Sequence, residues 1–348
     1  MARITIADIA LEAGVSPQTV SRVINNRPDV AEDTRQRVQA IIQRLDYKPN
    51  AIARGLRAKR TWMIGVIIES PRNFGPRSKF VELDKQAHLA GYRMLPFLIH
   101  EQDTREIAVH LDNLLPHQPD GIIWAPTEIE GDASRFEETV IDVSIPMVTM
   151  EASIYGVPKP AAIDQFETSR LLVTHLIEKG YRNIGIISGP LQELQALSRV
   201  RGWQAALRDA GLPAVNLQTA EGDWSAESGR HGMIALLDTF SEIDALFAAN
   251  DEMALGAMSL AQERGMNIPQ DLGLVAFDDI PEASHFRPPL TTARQPFREY
   301  CEFTVKVLAE MIQAKFSGSV YTPPETVTLY SEIIFRESSG AKGRDNSM

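Results

Sequence analysis

Gln18, Thr19, Ser21, Arg22 and Asn25 crowd hydrogen-bonding side chains into one short stretch near the start of the chain. An amide such as Gln18 can pair bidentately with the edge of adenine, and a guanidinium such as Arg22 with guanine. The hydroxyls of Thr19 and Ser21, with the backbone near Thr5 and Ser16, can reach phosphates or base edges. A second set is dispersed: Ser70, Phe74, Trp124, Glu151, Asp223-Trp224, Asn250-Asp251 and Asp278-Asp279 stand at or just past the ends of short apolar runs. Acids, amides and flat aromatics suit a polyhydroxylated ring, whose hydroxyls need hydrogen-bonding partners and whose C–H face stacks on indole.

The first set needs a helix to present it. Thr5 can cap a helix whose apolar positions Ile6, Ile9, Ala10 and Ala13 recur at helical spacing until Gly14 stops it. Ser16 caps a second, and Pro17 occupies its first position, where a missing N–H costs nothing. Val20, Val23 and Ile24 turn inward with Val15, so the polar cluster faces outward. A third helix is expected over about Glu32–Asp46, with Val38, Ile41, Ile42 and Leu45 buried and Ala31 a poor cap. Two short helices joined by a Gly-containing turn form the helix-turn-helix pattern, whose second helix enters the major groove of DNA.

The second set needs sheets. Strands are expected over Trp62–Glu69, Tyr92–Ile99, Gly121–Ala125, Met147–Met150, Asn183–Ser188, Ala245–Ala249 and Gly273–Phe277. Helices are expected near 78–90, 104–116, 166–180, 198–210, 226–239, 252–265 and 298–316. This alternation predicts an α/β body of parallel sheets, and such sheets bind ligands at the carboxyl ends of their strands.

Charge divides the chain in the same way. Residues 1–60 carry 11 Lys or Arg against 6 Asp or Glu, whereas the whole chain is at −11. A basic head therefore sits on an acidic body that phosphate would repel, which confines any DNA contact to the head.

The run Thr5-Ile6-x-Asp8-Ile9-Ala10-x-x-Ala13-Gly14-Val15-Ser16-x-x-Thr19-Val20-Ser21-Arg22-Val23-Ile24-Asn25, continued by Val30, Thr34-Arg35, Val38 and Leu45-x-Tyr47-x-Pro49-Asn50, resembles the headpiece of the LacI/GalR family of bacterial transcription regulators. Pro17 departs from the usual first base-reading residue. Residues Pro49 to Ala58 resemble the family's hinge helix, too short and too interrupted by Gly55 to be stable alone. The resemblance implies that Asn50 caps the hinge, that Ala53 lies in it, and that Leu56 wedges the central base step in the minor groove.

The resemblance extends over the chain and implies a two-subdomain, periplasmic-binding-protein-like (type I) domain that binds a small effector in its cleft. Arg199-Val200-Arg201-Gly202-Trp203 resembles the family's effector-anchoring motif, with Arg199 the anchor. Asn250-Asp251-x-Met253-Ala254-x-Gly256, Ala276-Phe277-Asp278-Asp279 and Pro289-Leu290-Thr291-Thr292-x-x-Gln295 match further family motifs. Strand ends and motifs together give the expected effector set Phe74, Trp124, Glu151, Arg199, Trp224, Asn250, Asp278 and Gln295, with Trp124 standing where sugar-responsive relatives often carry a small or polar residue. Asp251 and Asp279 are read as helix caps, Trp203 as core, and Trp224 as either cleft or subdomain edge. Glu193 stands where purine-responsive relatives carry Arg, which speaks against a purine.

The expected organisation is a headpiece over 1–48, a hinge and linker over 49–61, an effector and dimerisation domain over 62–340, and a disordered tail over 341–348. The effector domain divides into an N-subdomain near 62–162 and 294–322 and a C-subdomain near 163–293 and 323–340, with crossings near Ala162–Asp164, Thr291–Arg294 and Tyr321–Thr326. The tail lacks a heptad, so a homodimer on palindromic double-stranded operator DNA is expected, with repression released by a sugar. Corepression would be the same linkage reversed.

An enzyme reading fails on inventory. The 7 histidines form no His-x-His or His-x-x-x-His pair, and no nucleophile elbow, phosphate loop or dinucleotide fingerprint occurs, so neither catalytic residue, cofactor nor metal is expected. A sugar-binding transport protein would share the body but need an export signal and have no use for the head. The lone Cys301 and the absence of a long apolar run lead to the expectation of a soluble cytoplasmic protein without membrane contact.

Overall fold

The computed structural model describes residues 4–24, 26–47, 60–99, 104–128 and 144–340. The chain separates into two compact units, Met1–Thr61 and Trp62–Met348.

In the smaller unit, helices α1 (Ile6–Ala13), α2 (Pro17–Ile24) and α3 (Glu32–Arg44) enclose a core of Ile9, Ala10, Ala13, Val20, Val23 and Val38. Thr5 Oγ1 accepts from Asp8 N at 3.4 Å while Thr5 N donates to Asp8 Oδ2 at 2.8 Å, a reciprocal cap that satisfies two backbone donors otherwise left open at the helix start. Gly14 closes α1 at φ 65, a conformation that carries little penalty without a Cβ. At Ala31, α3 has no side-chain cap, as the alanine dictates, and Glu32 and Asp33 complement the helix dipole instead.

In the larger unit, β1 (Met63–Glu69), β2 (Arg93–Ile99), β3 (Gly121–Trp124) and β4 (Met147–Thr149) form a parallel sheet in the order β2-β1-β3-β4. Helices α4 (Phe74–Leu89) and α5 (Thr104–Leu114) alternate with these strands. After β5 (Ala161–Ile163) come α6 (Gln165–Glu178), β6 (Ile184–Ser188), α7 (Leu194–Asp209), β7 (Thr219–Glu221), α8 (Ala226–Thr239), β8 (Ala245–Ala248), α9 (Asp251–Glu263), β9 (Gly273–Asp278), β10 (Thr291–Arg294), α10 (Phe297–Ser317), β11 (Val327–Leu329) and β12 (Glu332–Ile334). The second sheet runs β12-β10-β9-β8-β6-β7, parallel except for β12 against β10.

Two of the three connections between the sheets carry a strand of their own. β5 pairs in parallel with β11, Ala161 opposite Val327, in a two-stranded sheet apart from the other two. The third crossing, expected near Tyr321–Thr326, leads directly into β11 at Val327, and the chain enters the second sheet at Glu332. Thr291–Arg294, read as a crossing, is a full strand of the second sheet, and the passage to the first sheet follows it, since Tyr300, Val305, Leu308 and Ile312 of α10 pack with Ile64, Val66 and Ile123. Helices α4 and α7 start four residues before the expected 78 and 198; Pro76, in the first turn of α4, lacks only an N–H the helix would leave unpaired. No described helix is long and apolar enough to cross a membrane.

Candidate functional site

On the smaller unit, α2 turns Val20 and Val23 inward and leaves Pro17, Gln18 and Arg22 exposed, with Thr19 and Ser21 half-buried at the margin. Ser16 accepts from Thr19 N at 3.1 Å, and the two hydroxyls lie 3.0 Å apart, so they hold the start of the helix. The Thr5 hydroxyl is likewise engaged, donating to Asp8 at 2.7 Å. Arg22 approaches Asp29 at 3.5 Å in solvent, a pairing of little net worth that a phosphate or base can displace. Asn25, Asn50, Ala53 and Leu56 lie outside the described residues.

In the larger unit, the carboxyl ends of both sheets open on a cavity of about 600 Å³. Of the effector set, Glu151, Arg199, Trp224, Asn250, Asp278 and Gln295 line it. The strand-end rule named Glu151, Trp224, Asn250 and Asp278, and the family resemblance Arg199 and Gln295; burial and hydrogen bonding connect them. Arg199 donates from Nε to Gln165 at 3.0 Å and from Nη1 to the Ala249 carbonyl. Gln165 donates in turn to Gln295 at 3.0 Å, and Gln295 to Asp278 at 2.6 Å. This chain ties the start of α6, the segment after β10 and the end of β9 to one guanidinium. The Arg199 guanidinium also lies 3.9 Å from the Phe277 ring centroid and 5.3 Å from that of Trp224.

Trp224 stands at φ 71, and its indole fills the space a side chain at Gly189 would need. Its Nε1 donates to Glu193 at 3.1 Å, while its carbonyl accepts from Asn250 Nδ2 at 2.9 Å. Asn250 thus caps α9 through Oδ1, accepting from Met253 N at 2.8 Å, and holds Trp224 with its other end.

Burial governs the charges. It pushes the Asp278 carboxyl up to about 6 against the pull of Arg199 and the Gln295 hydrogen bond. It pushes Glu69 up to about 7 against the attraction of Lys79. The Arg199 guanidinium is lowered, because burial outweighs Asp278 and the other nearby carboxylates. Burial also opposes ionisation of Lys79 and Glu151, but their 2.6 Å ion pair prevails, raising the lysine and lowering the carboxyl.

Two expected effector residues do not line the cavity. Trp124 is wholly buried with Ile67, Leu111, Leu114 and Met147, because side chains alternate across the sheet and position 124 projects toward the face that α5 covers. Phe74 packs on Phe297, with ring centroids 6.3 Å apart, and against the core of the second sheet, while its neighbours Asn73, Gly75 and Pro76 line the cavity. Neither Asp251 nor Asp279 caps a helix as read. Asp251 accepts from Thr292 at 2.5 Å and Ile280 N at 2.8 Å, whereas Asp279 binds Arg336 at 2.6 Å and Arg294 at 2.7 Å. Trp203 is core, its Nε1 donating to the Ile184 carbonyl at 3.2 Å.

The sequence reading missed Glu69, Lys79, Gln165 and Tyr300 in the lining. Glu69 ends an expected strand, so the strand-end rule could have found it. Lys79 gave no such signal, since a lysine within a helix ordinarily faces water. Among the described residues, no group of His, Cys, Asp and Glu is placed to hold a metal ion.

The family described as bacterial regulatory proteins, lacI family, matches residues 5–50, and the periplasmic binding protein-like domain matches residues 173–339. The chain is 33% identical to catabolite control protein A of Priestia megaterium over 97% of its own length and 99% of the relative's. It is 34% identical to the HTH-type transcriptional repressor PurR of Actinobacillus pleuropneumoniae serotype 3, over 96% and 98% of the two chains. Its structure is similar to that of the lac repressor dimer bound to operator and the anti-inducer ONPF, with a TM-score of 0.85 and 29% identity, covering 98% of this chain and all of that one. It is also similar to the complex of the transcriptional regulator CelR with cellobiose, with a TM-score of 0.69 and 25% identity over 97% of this chain and all of the other. These relatives are regulators of transcription, not enzymes, and with a matching headpiece, a matching body and near-complete coverage the chain belongs to the LacI family of bacterial regulatory proteins.

Proposed function

We propose that the protein is a transcriptional repressor that holds a palindromic operator as a homodimer in the cytoplasm and releases it when a polyhydroxylated small molecule, a sugar in the simplest case, binds the cleft. The observation that carries this reading is the continuous chain from Arg199 through Gln165 and Gln295 to Asp278 at the cavity. It presents a fixed guanidinium, amides and a carboxylate beside the Trp224 indole, the partners that ring hydroxyls and a C–H face require. Glu193, bonded to that indole, puts a carboxylate where an electron-rich purine would need a donor.

The exposed polar face of α2 is the base-reading surface in this proposal, with Gln18 as a donor–acceptor pair for adenine and Arg22 as a fork-shaped donor for guanine. The residues outside the described set, Asn25, Asn50, Ala53 and Leu56, complete it as hinge and groove contacts. Ligand in the cleft and operator at the head are reciprocally linked, typically by about 1–3 kcal/mol.

The test is a gel-shift titration of an inverted-repeat operator at several salt concentrations, with and without a panel of mono- and disaccharides prescreened by thermal shift. Salt-dependent, sequence-specific binding relieved by one sugar is the expected result. Binding that no panel member alters, with no thermal shift from any, would remove the cleft from the mechanism.

A further inference from the structure

One wall of the cleft carries an arrangement of charge that the reading above does not use. Glu69 ends β1, Lys79 lies inside α4, and Glu151 follows β4, so three separate elements bring them to one place. The Lys79 side chain is only 5% exposed and donates to Glu151 Oε1 at 2.6 Å, leaving Glu151 24% exposed. Beside them in the lining, Glu69 accepts from Thr127 N through Oε1, and its buried Oε2 has no partner among the described residues.

The cations of the lining are already engaged in its depth. Lys79 is held by Glu151, Lys159 donates to the Glu151 carbonyl, and Arg199 is divided between Gln165 and the Ala249 carbonyl beside Asp278. Arg72 is exposed at the mouth. Against these 4 cations the lining sets 6 carboxylates, so a ligand meets an excess of negative charge in a site of restricted solvation.

We propose that this wall sets the charge of the ligand: Glu151, fixed by Lys79 and backed by the Glu69 carboxylate, accepts hydrogen bonds from hydroxyls and excludes phosphorylated or carboxylate-bearing carbohydrates. The inference rests on the cleft reading above and narrows it. Glu151 is the contact residue, and Glu69 a positioning residue that acts through Lys79 and through its field. The regulator thereby distinguishes a free sugar from the sugar phosphate that a kinase-type reaction makes of it, a distinction that hydroxyl contacts alone would not provide.

The test is calorimetric titration of the full chain with glucose, galactose, xylose and cellobiose, and with glucose 6-phosphate, galactose 6-phosphate, glucuronate and galacturonate, at pH 8. The expected result is a neutral sugar that binds at least about a hundredfold tighter than its anionic counterparts. In Glu69→Gln that ratio should shrink to within about tenfold, and Glu151→Gln should weaken the neutral sugar itself. An anionic counterpart that binds the wild type as tightly as the neutral sugar overturns the inference and leaves the cleft reading standing. So does a ratio unchanged in a folded Glu69→Gln variant. The wild-type ratio decides the matter even where a variant fails to fold, and failure of every compound, neutral and anionic, would bring down the cleft reading itself.

Discussion

Gly189 and Trp224 share one volume: a Cβ at position 189 would lie 2.1 Å from indole Cζ2, far inside contact distance. The residue just past the end of β6 is thus what lets the segment after β7 lay an aromatic wall in the cleft. The indole Nε1 donates to Glu193, and the Trp224 carbonyl accepts from the Asn250 side chain. Gly189→Ala should therefore displace Trp224 from the cavity. We expect a ligand affinity at least about tenfold weaker, a stability loss of about 1–3 kcal/mol, and operator affinity near wild type. Calorimetry alongside gel shifts measures both; ligand affinity unchanged in Gly189→Ala would show that the indole face takes no part in binding.

Arg199 separates the two functions more sharply. It is buried, bonded to Gln165 and the Ala249 carbonyl, and its charge opposes protonation of Asp278. Arg199→Ala removes the donor from the cleft but touches nothing on α2. The expected variant binds operator and ignores sugar, a permanently repressing form. Because the substitution also strips Asp278 of its nearest cation, unfolding should shift to lower denaturant, by the roughly 3–5 kcal/mol that an uncompensated buried charge costs unless the carboxyl takes up a proton. Arg199→Ala that still responds to sugar would assign the anchor elsewhere.

How much of this was legible beforehand follows from what local spacing encodes. The three head helices, with the Thr5 cap and Gly14 stop, could be read because caps and stops act within a few residues. The strand ends named Glu151, Trp224, Asn250 and Asp278 because parallel sheets gather their carboxyl ends. The chain from Arg199 to Asp278 depends on Gln165, whose position at the start of α6 matters only once two crossings bring Gln295 beside it. Strands β5, β7, β11 and β12 are three residues each, too short for periodicity to register. Trp124 was misplaced for a related reason: a strand end locates a residue along the sheet, not on which face its side chain falls.

Glu69 gives a prediction in pH. Its carboxyl is pushed from 4.5 to about 7 in the folded chain, chiefly by burial, against Lys79 and the Thr127 N–H, with Glu151 adding to the rise. A raised acid costs nothing where it is protonated in both states, below about pH 4.5. The cost grows as pH rises from there to about 7 and is fully present above. Glu69→Gln keeps an acceptor for Thr127 and removes the titrating charge. Its stability relative to wild type should be higher above pH 7 by on the order of 1–3 kcal/mol, with no gain near pH 4.5. Urea unfolding followed by tryptophan fluorescence at pH 5 and pH 8 measures the difference, and a variant equally shifted at both would mean that packing, not charge, governs the site.

The head offers a test independent of any ligand. Arg22 is exposed, and Asp29 lies 3.5 Å from it, so the guanidinium can exchange that partner for a guanine edge at little cost. Loss of a fork-shaped contact to a base edge falls on specific binding: Arg22→Ala should weaken operator binding by about 1–3 kcal/mol, relax discrimination at one base pair of each half-site, and alter nonspecific binding much less. Asp29→Asn works in the opposite sense, freeing Arg22 and removing a negative charge near phosphate, so binding to random duplex should strengthen at low salt. Fluorescence anisotropy with operator and scrambled duplexes across a salt series resolves the two. If Arg22→Ala lowered both affinities equally, Arg22 would be a phosphate contact, and base reading on α2 would fall to Gln18 and its neighbours.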